Sequence, residues 1–325
     1  MIQMKKIQSI SMWRAIACLM VFAVHFSQRL LFPLKLQEIA SFGAYGVQLF
    51  FIISGFLIAK SYNDYGKNHP WKFYAKKAIT LLPLYYIVIL YYFIMHTFIF
   101  KDIPEDPTGF GWFRYVLPIN CIFPKTGIYF WDNLGITWSI PYFVIAYIII
   151  PLLLRLIKSW KNIIILFFIT LIIALFPTVE LLFGWCSFLE QFPIFIIGVV
   201  LYYGFKEEKT FIMIFGCTFI AIILLVLEQK LDIIYSLLFA VLIIATKNFS
   251  FKSKFMKKLL HLSDTYSYTF YLGHGIIFIH ILDKFVLGRI IEALIAVLCS
   301  IALTFIIKNY IENPLQKLLN QKLKK

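Results

Sequence analysis

Residues 10–32 read ISMWRAIACLMVFAVHFSQRLLF, an apolar stretch that carries Arg14 and His25 within it and Arg29 near its end. About 20 apolar residues in helical form cover the roughly 30 Å of a hydrocarbon core, so the stretch predicts a transmembrane helix. Arg14 and His25 are eleven residues apart. On a helix turning about 100° per residue, that interval returns to within about 20° of the starting direction and climbs about 16 Å. The two side chains therefore share one face at two depths. An ionisable group inside hydrocarbon costs a few kcal/mol even on lenient insertion scales, which makes the pair a candidate functional site. The same residues also fit a plainer role, His25 as a helix-packing hydrogen bond and Arg14 as a snorkelling anchor.

Lys5 and Lys6 precede this stretch in the manner of a signal peptide, but Arg14 breaks its apolar run and no small-residue cleavage site follows. The segment is expected to remain as the first span. With 61% hydrophobic and 14% charged residues, the 325-residue chain has too few polar groups to coat a soluble globule. Apolar stretches recur along nearly its whole length, at about 10–32, 44–61, 78–100, 136–155, 162–181, 186–203, 210–227, 231–246, 266–287 and 290–311. The expected fold is all-α, a polytopic membrane helix bundle of about ten transmembrane helices, forming a single domain over 1–325 with no appended soluble domain.

Positive charge is retained on the cytoplasmic side of a membrane, so Lys and Arg report orientation. The N-terminus, the even-numbered loops and the C-terminus hold 22 of the 31, the odd-numbered loops hold 8, and Arg14 is the remaining one. Both termini are expected to be cytoplasmic. The net charge of +15 is thereby a topology signal and a contact for anionic membrane lipids. No basic stripe interleaved with aromatics marks a nucleic-acid surface. The 19 Tyr and 7 Trp suit interfacial aromatic belts. Cys18, Cys121, Cys186, Cys217 and Cys299 stand isolated and make neither a disulfide framework nor a metal motif.

Short loops join most spans. The loop from Lys101 to Gly135 is the longest, with Pro104, Pro107, Pro118 and Pro124, and is long enough to carry short helices or a lid. The basic run Lys247–Lys258 reads as an inner loop touching headgroups. No internal repeat or pair of inverted halves is visible. The second span, GAYGVQLFFIISGFLIAK at 43–60, carries glycines and Ser54 as small-residue contacts for close helix approach. The third begins FYAKKAITLLPLYY at 73–86, where Lys76 and Lys77 lie at the cytoplasmic edge as topology anchors or as phosphate binders.

Together these segments resemble acyltransferase family 3, membrane enzymes that O-acetylate bacterial surface sugars. The resemblance covers nearly the whole chain. It rests on WRAIACLMVFAVHF (13–26), GVQLFFIISGFLI (46–58), FYAKKAITLLPLYY (73–86), TWSIPYFVIAYIIIPLL (137–153), QFPIFIIGVVL (191–201), SYTFYLGH (267–274) and YIENP (310–314). It implies transfer of an acyl group, usually acetyl from acetyl-CoA, to a hydroxyl of a cell-envelope glycan or its lipid-linked precursor, at the bacterial cytoplasmic membrane. The family's first-span Arg and His fall on Arg14 and His25. Its Arg-x-x-Arg at the third span falls on Lys77 and Thr80, with Lys76 alongside, so one positive charge is missing. Where many relatives carry a glutamate five residues after the tryptophan, this chain has Phe143 after Trp138.

The acyl-CoA pantetheine arm reaches a distance comparable to the rise between Arg14 and His25. This suggests phosphates against Arg14, Lys76 and Lys77, with the thioester near His25, whose ordinary pKa suits it to take a proton from the sugar hydroxyl. A covalent route through His25 or a serine such as Ser54 is the competing chemistry. Trp138 and Ser139 are candidate acceptor contacts, since Trp offers a flat apolar face to sugars. His274 matches the family's histidine in its segment and is a further substrate-contact candidate. Glu190 is a replacement carboxylate or an interfacial residue, and His69, His96, His261 and His280 read as interfacial or loop residues. Glu312 is expected to end the last helix and pair with Lys308. A transporter or flippase of a glycan, lipid or small acid is the alternative from another class, since intramembrane Arg and His also serve carriers.

Overall fold

The computed structural model describes residues 8–29, 33–101, 113–118, 137–157, 159–176, 188–277 and 289–322. Most of the long Lys101–Gly135 loop, Cys121, Cys186, His280 and the second half of the ninth expected span lie outside the described residues. Among the described residues every regular element is helical.

The helices are α1 (Gln8–Arg29), α2 (Leu34–Ser41), α3 (Gly46–Ser61), α4 (Pro70–Ile94), α5 (Phe113–Val116), α6 (Ile140–Leu156), α7 (Trp160–Leu175), α8 (Phe188–Lys206), α9 (Thr210–Val226), α10 (Leu231–Ala245), α11 (Lys254–Ile276), α12 (Arg289–Ile306) and α13 (Asn313–Lys322). Five helical runs are long and apolar enough to cross a membrane: Gln8–Gln28, Leu34–Gly66, Pro70–Ile99, Phe188–Lys206 and Ile291–Gln321. Helices α6, α7, α9 and α10 are apolar but shorter.

The chain divides into two compact units, one of Met1–Phe50 with Ala245–Lys325, the other of Phe51–Ile244. In the first unit α1 and α11 run side by side. The Gln8 side-chain oxygen accepts the Phe251 N–H (3.0 Å), Cys18 meets the Ser267 carbonyl (3.8 Å), and the Phe22 ring meets Phe270 at 5.2 Å. Residue numbers rise together on both sides, so the pair is parallel. The chain then returns along α1, with Gly43 seated on the Met20 carbonyl and Gly46 on that of Ala17.

In the second unit α8 is the central element. Between Phe188 and Gly204 every residue but Leu189 is buried. A helix apolar on all sides has no solvent or lipid face to prefer and belongs inside. It crosses α3 where Gly55 meets the Phe195 carbonyl and Gly198 meets that of Ile52. Absence of Cβ at both positions permits this backbone approach, the close packing that membrane helices use in place of a hydrophobic driving force.

Several expectations need correction. Residues 34–43, the connection between the first two expected spans, are helical instead of loop: LKLQEIAS forms α2, and a 3-10 turn at Phe42–Tyr45 joins it to α3. Part of the basic inner loop is helical too: α11 begins at Lys254, so the exposed Lys254, Lys257 and Lys258 occupy its first turns. His96 is not in a loop: it lies in the helical turn Met95–Phe100, is 2% exposed and stacks on Tyr92. Glu312 does pair with Lys308 but does not end the helix. A wide turn at Ile307–Glu312 loosens the backbone ladder, so Pro314 is accommodated and the chain continues as α13.

Glu312 is 2% exposed and accepts from Lys308, Thr269 and Gln316, which ties α11 to the last helical run. Removing one member of a buried ion pair leaves the other charge uncompensated, at a cost of about 3–5 kcal/mol. The variant Glu312→Ala is expected to show that loss as a lower thermal midpoint of the purified protein. A Lys308→Met, Glu312→Leu double variant should recover most of it.

Candidate functional site

Two polar levels lie along the parallel α1–α11 pair. At the first, Arg14 Nη1 donates to Asp264 Oδ1 at 3.2 Å and Ser11 Oγ donates to Asp264 Oδ2 at 2.7 Å. Both members of the ion pair are partly exposed, 23% and 15%. Nearby, the Trp13 indole N–H donates to Thr246 Oγ1 at 2.8 Å and fixes the start of α1. At the second level the His25 and His274 rings stand 5.4 Å apart.

The two levels match because both helices place their charged group and their histidine at nearly the same interval, eleven residues on α1 and ten on α11. That corresponds to about 16 Å of rise. His274 is 1% exposed, and its Nδ1 lies 3.0 Å from the Phe270 carbonyl. A carbonyl can only accept, so Nδ1 carries the proton there and Nε2 is left as the acceptor nitrogen. Phe22, Phe270 and Tyr271 pack around the His274 ring. Phe22 also joins Phe26, Ile277, Ala296, Cys299 and Leu303 in a hydrophobic cluster of the same unit.

Gln48, on the α3 turn between Gly46 and Phe50, is 6% exposed with its side-chain oxygen buried and unpaired among the described residues. Gly46 packs on Ala17 and Val21 of α1, and the Phe50 ring meets Tyr271 of α11. Gln48 thus offers a polar contact in the unit that holds the histidines.

Lys76, Lys77, Trp138 and Ser139 belong to the second unit. Lys76 Nζ lies 4.7 Å above the Tyr65 ring, and Lys77 Nζ lies 5.5 Å from the Phe73 centroid and 5.1 Å from that of Tyr147. Aromatic faces attract these ammonium groups through the ring quadrupole and hold them in the first turns of α4, with Lys77 against the middle of α6. Thr80 turns its hydroxyl back onto the Lys76 carbonyl. Ser139 is fully buried at the start of α6, and Trp138 sets its edge against Phe51 and Tyr142.

Phe143 packs against Phe51 at 5.2 Å and Phe195 at 5.8 Å. The position where many relatives carry a carboxylate is therefore part of an aromatic cluster. Glu190 is 5% exposed and accepts from Lys230 at 2.7 Å, while its neighbour Gln191 donates to Asp232 at 3.1 Å. Among the described residues no group of three His, Cys, Asp or Glu is arranged to hold a metal ion. A cavity of about 370 Å³ among α7, α8, α9 and α10 is lined by side chains such as Ile164, Phe167, Ile197, Met213 and Leu237. Its walls are mainly hydrocarbon and suit an alkyl chain, with Lys161 and Cys217 the titratable residues among them.

Sequence reasoning missed Asp264. The signal was present, since Asp264 precedes His274 by ten residues, one fewer than the eleven that separate Arg14 from His25. It also missed Arg155, which shares a small cavity with Tyr62 and Tyr74.

Fold and site together define a helical membrane protein that carries a histidine pair, with His274 buried, at one level of a helix pair and an ion pair at another. The chain belongs to acyltransferase family 3: the family's sequence model, described as an acyltransferase domain, matches residues 7–309, nearly the whole chain. Neither the curated proteins nor the solved structures contain a match to it. Family membership decides between the two classes that the sequence left open, in favour of a membrane acyltransferase over a carrier.

Proposed function

We propose that this acyltransferase moves an acetyl group from cytoplasmic acetyl-CoA to a hydroxyl of a cell-envelope polysaccharide or its lipid-linked precursor, in the bacterial cytoplasmic membrane. The observation that carries the reading is the matched pair of levels on α1 and α11, an ion pair at Arg14–Asp264 and a histidine pair at His25–His274. In this reading ten spans cross the bilayer as one functional domain with both termini cytoplasmic. Parallel α1 and α11 suit it, because the first and ninth members of an alternating series run in the same direction.

The chemistry follows from the residues. The acceptor oxygen attacks the thioester carbonyl while His25 takes its proton. The tetrahedral species then collapses with cleavage of the C–S bond, and the imidazolium returns the proton to the leaving thiolate. His274, fixed through Phe270, holds a second imidazole against the first. Trp138 and Ser139 contact the acceptor sugar. Arg14, Lys76 and Lys77 answer the phosphates of the donor, and surrounding lipids contact the basic inner segments. No metal enters the step.

The test is to supply purified protein with radiolabelled acetyl-CoA and a membrane glycan fraction. Label is expected to move to the glycan, with slow release of free coenzyme A when no acceptor is present. A protein that neither binds nor consumes acetyl-CoA would overturn the reading.

A further inference from the structure

The cytoplasmic-side charge was expected on Arg14, Lys76 and Lys77, yet Arg14 is held by Asp264, and both lysines sit over aromatic rings. A different cation stands in the second unit. Arg155, in the last turn of α6, lines a cavity of about 50 Å³ with Tyr62 and Gly66 of the turn after α3, Lys67, and Tyr74 of α4. The ends of three helices therefore converge on it. Arg155 acts electrostatically on both the Tyr62 and the Tyr74 phenols. Neither Arg155 nor Lys67 has an acidic partner among the described residues, and the acid on the adjoining turn, Asp64, is taken by Lys60.

A cation at the end of a helix is explained in part by the helix dipole and by topology. Those effects ask for a charge, not for a concave site with two phenols and a second ammonium group beside it. Arg offers a planar fork that matches phosphate oxygens two at a time, and phenols and Lys add donors around it. The size is selective. A water-sized probe needs about 10–15 Å³, so the cavity accepts a few non-hydrogen atoms, enough for one phosphoryl group and too few for a nucleobase.

We propose that Arg155, with Lys67, Tyr62 and Tyr74, forms a binding site for one phosphate group, and that in the acyltransferase reading given above this is a phosphate of the coenzyme A donor. The site supplies, from a different helix, the cationic contact that Thr80 does not.

The test uses the full-length protein purified in neutral detergent without anionic lipid, as wild type, Arg155→Ala and Arg155→Lys, each titrated with coenzyme A and with phosphate-free pantetheine. Coenzyme A is expected to bind about tenfold or more weakly to Arg155→Ala and by an intermediate amount to Arg155→Lys, with pantetheine unchanged across all three. Equal coenzyme A affinity in wild type and Arg155→Ala overturns the proposal and leaves the donor reading standing. A matching loss for pantetheine also overturns it, because the residue then acts on folding and not on phosphate. Wild type that takes no coenzyme A, but retains dioleoylphosphatidylglycerol in an Arg155-dependent manner, keeps the phosphate site, assigns it to a lipid headgroup and overturns the donor reading.

Discussion

Replacing His25 by Ala is expected to lower acyl transfer by about a thousandfold, within the range general acid–base groups contribute, while leaving donor affinity unchanged. The expectation follows from position. His25 faces His274 at 5.4 Å, about three helical turns along α1 from the Arg14–Asp264 pair, so its removal does not disturb the charged level. A histidine that served only helix packing would behave differently, with a fall in thermal midpoint and an activity loss that tracks the lost folded fraction. His25→Gln separates the two, because it keeps hydrogen-bonding capacity and comparable bulk but cannot accept the hydroxyl proton as a base. Rate measured per folded molecule, with coenzyme A binding alongside, distinguishes the outcomes.

The largest expected effect on folding is at Gly198. A Cβ there would meet the Ile52 carbonyl oxygen, and its counterpart Gly55 faces the Phe195 carbonyl. The obstacle on each side is backbone, not the end of a flexible side chain, so α3 and α8 would have to move apart along the most buried helix of the unit. Overpacking a core by side chains costs about 1–3 kcal/mol, and a backbone collision belongs above that range. Gly198→Val is expected to abolish folded protein, read by size-exclusion chromatography in detergent. Gly216 is the matched control, since a Cβ there meets nothing within 4 Å. Gly216→Ala should fold as wild type, and a Gly198→Val protein that also does so would contradict the packing account.

Sequence made the membrane class legible because hydropathy is local: α1, α4 and α8 follow from runs of apolar residues that need no tertiary information. The glycine contacts were legible for a similar reason, as small residues in a span have few other uses. What escaped was set by partners distant in sequence. Asp264 gains meaning only when α11 lies parallel to α1, and Glu190 gains its partner only when Lys230 is placed beside it. Arg155 looked like one more inner-side charge, and its cavity exists only because the turn after α3 and the start of α4 meet the end of α6. Helix ends misled in the opposite way. Pro314 suggests a stop, but the wide turn before it frees the backbone and the helix continues.

The central claim is that His25 is the base for acyl transfer to an envelope glycan, and the most direct measurement is proton NMR of glycan from cells whose only copy of the gene is wild type or His25→Ala. The account predicts O-acetyl signals with wild type and none with His25→Ala at equal membrane abundance. O-acetylation at the wild-type level in the His25→Ala cells would contradict it.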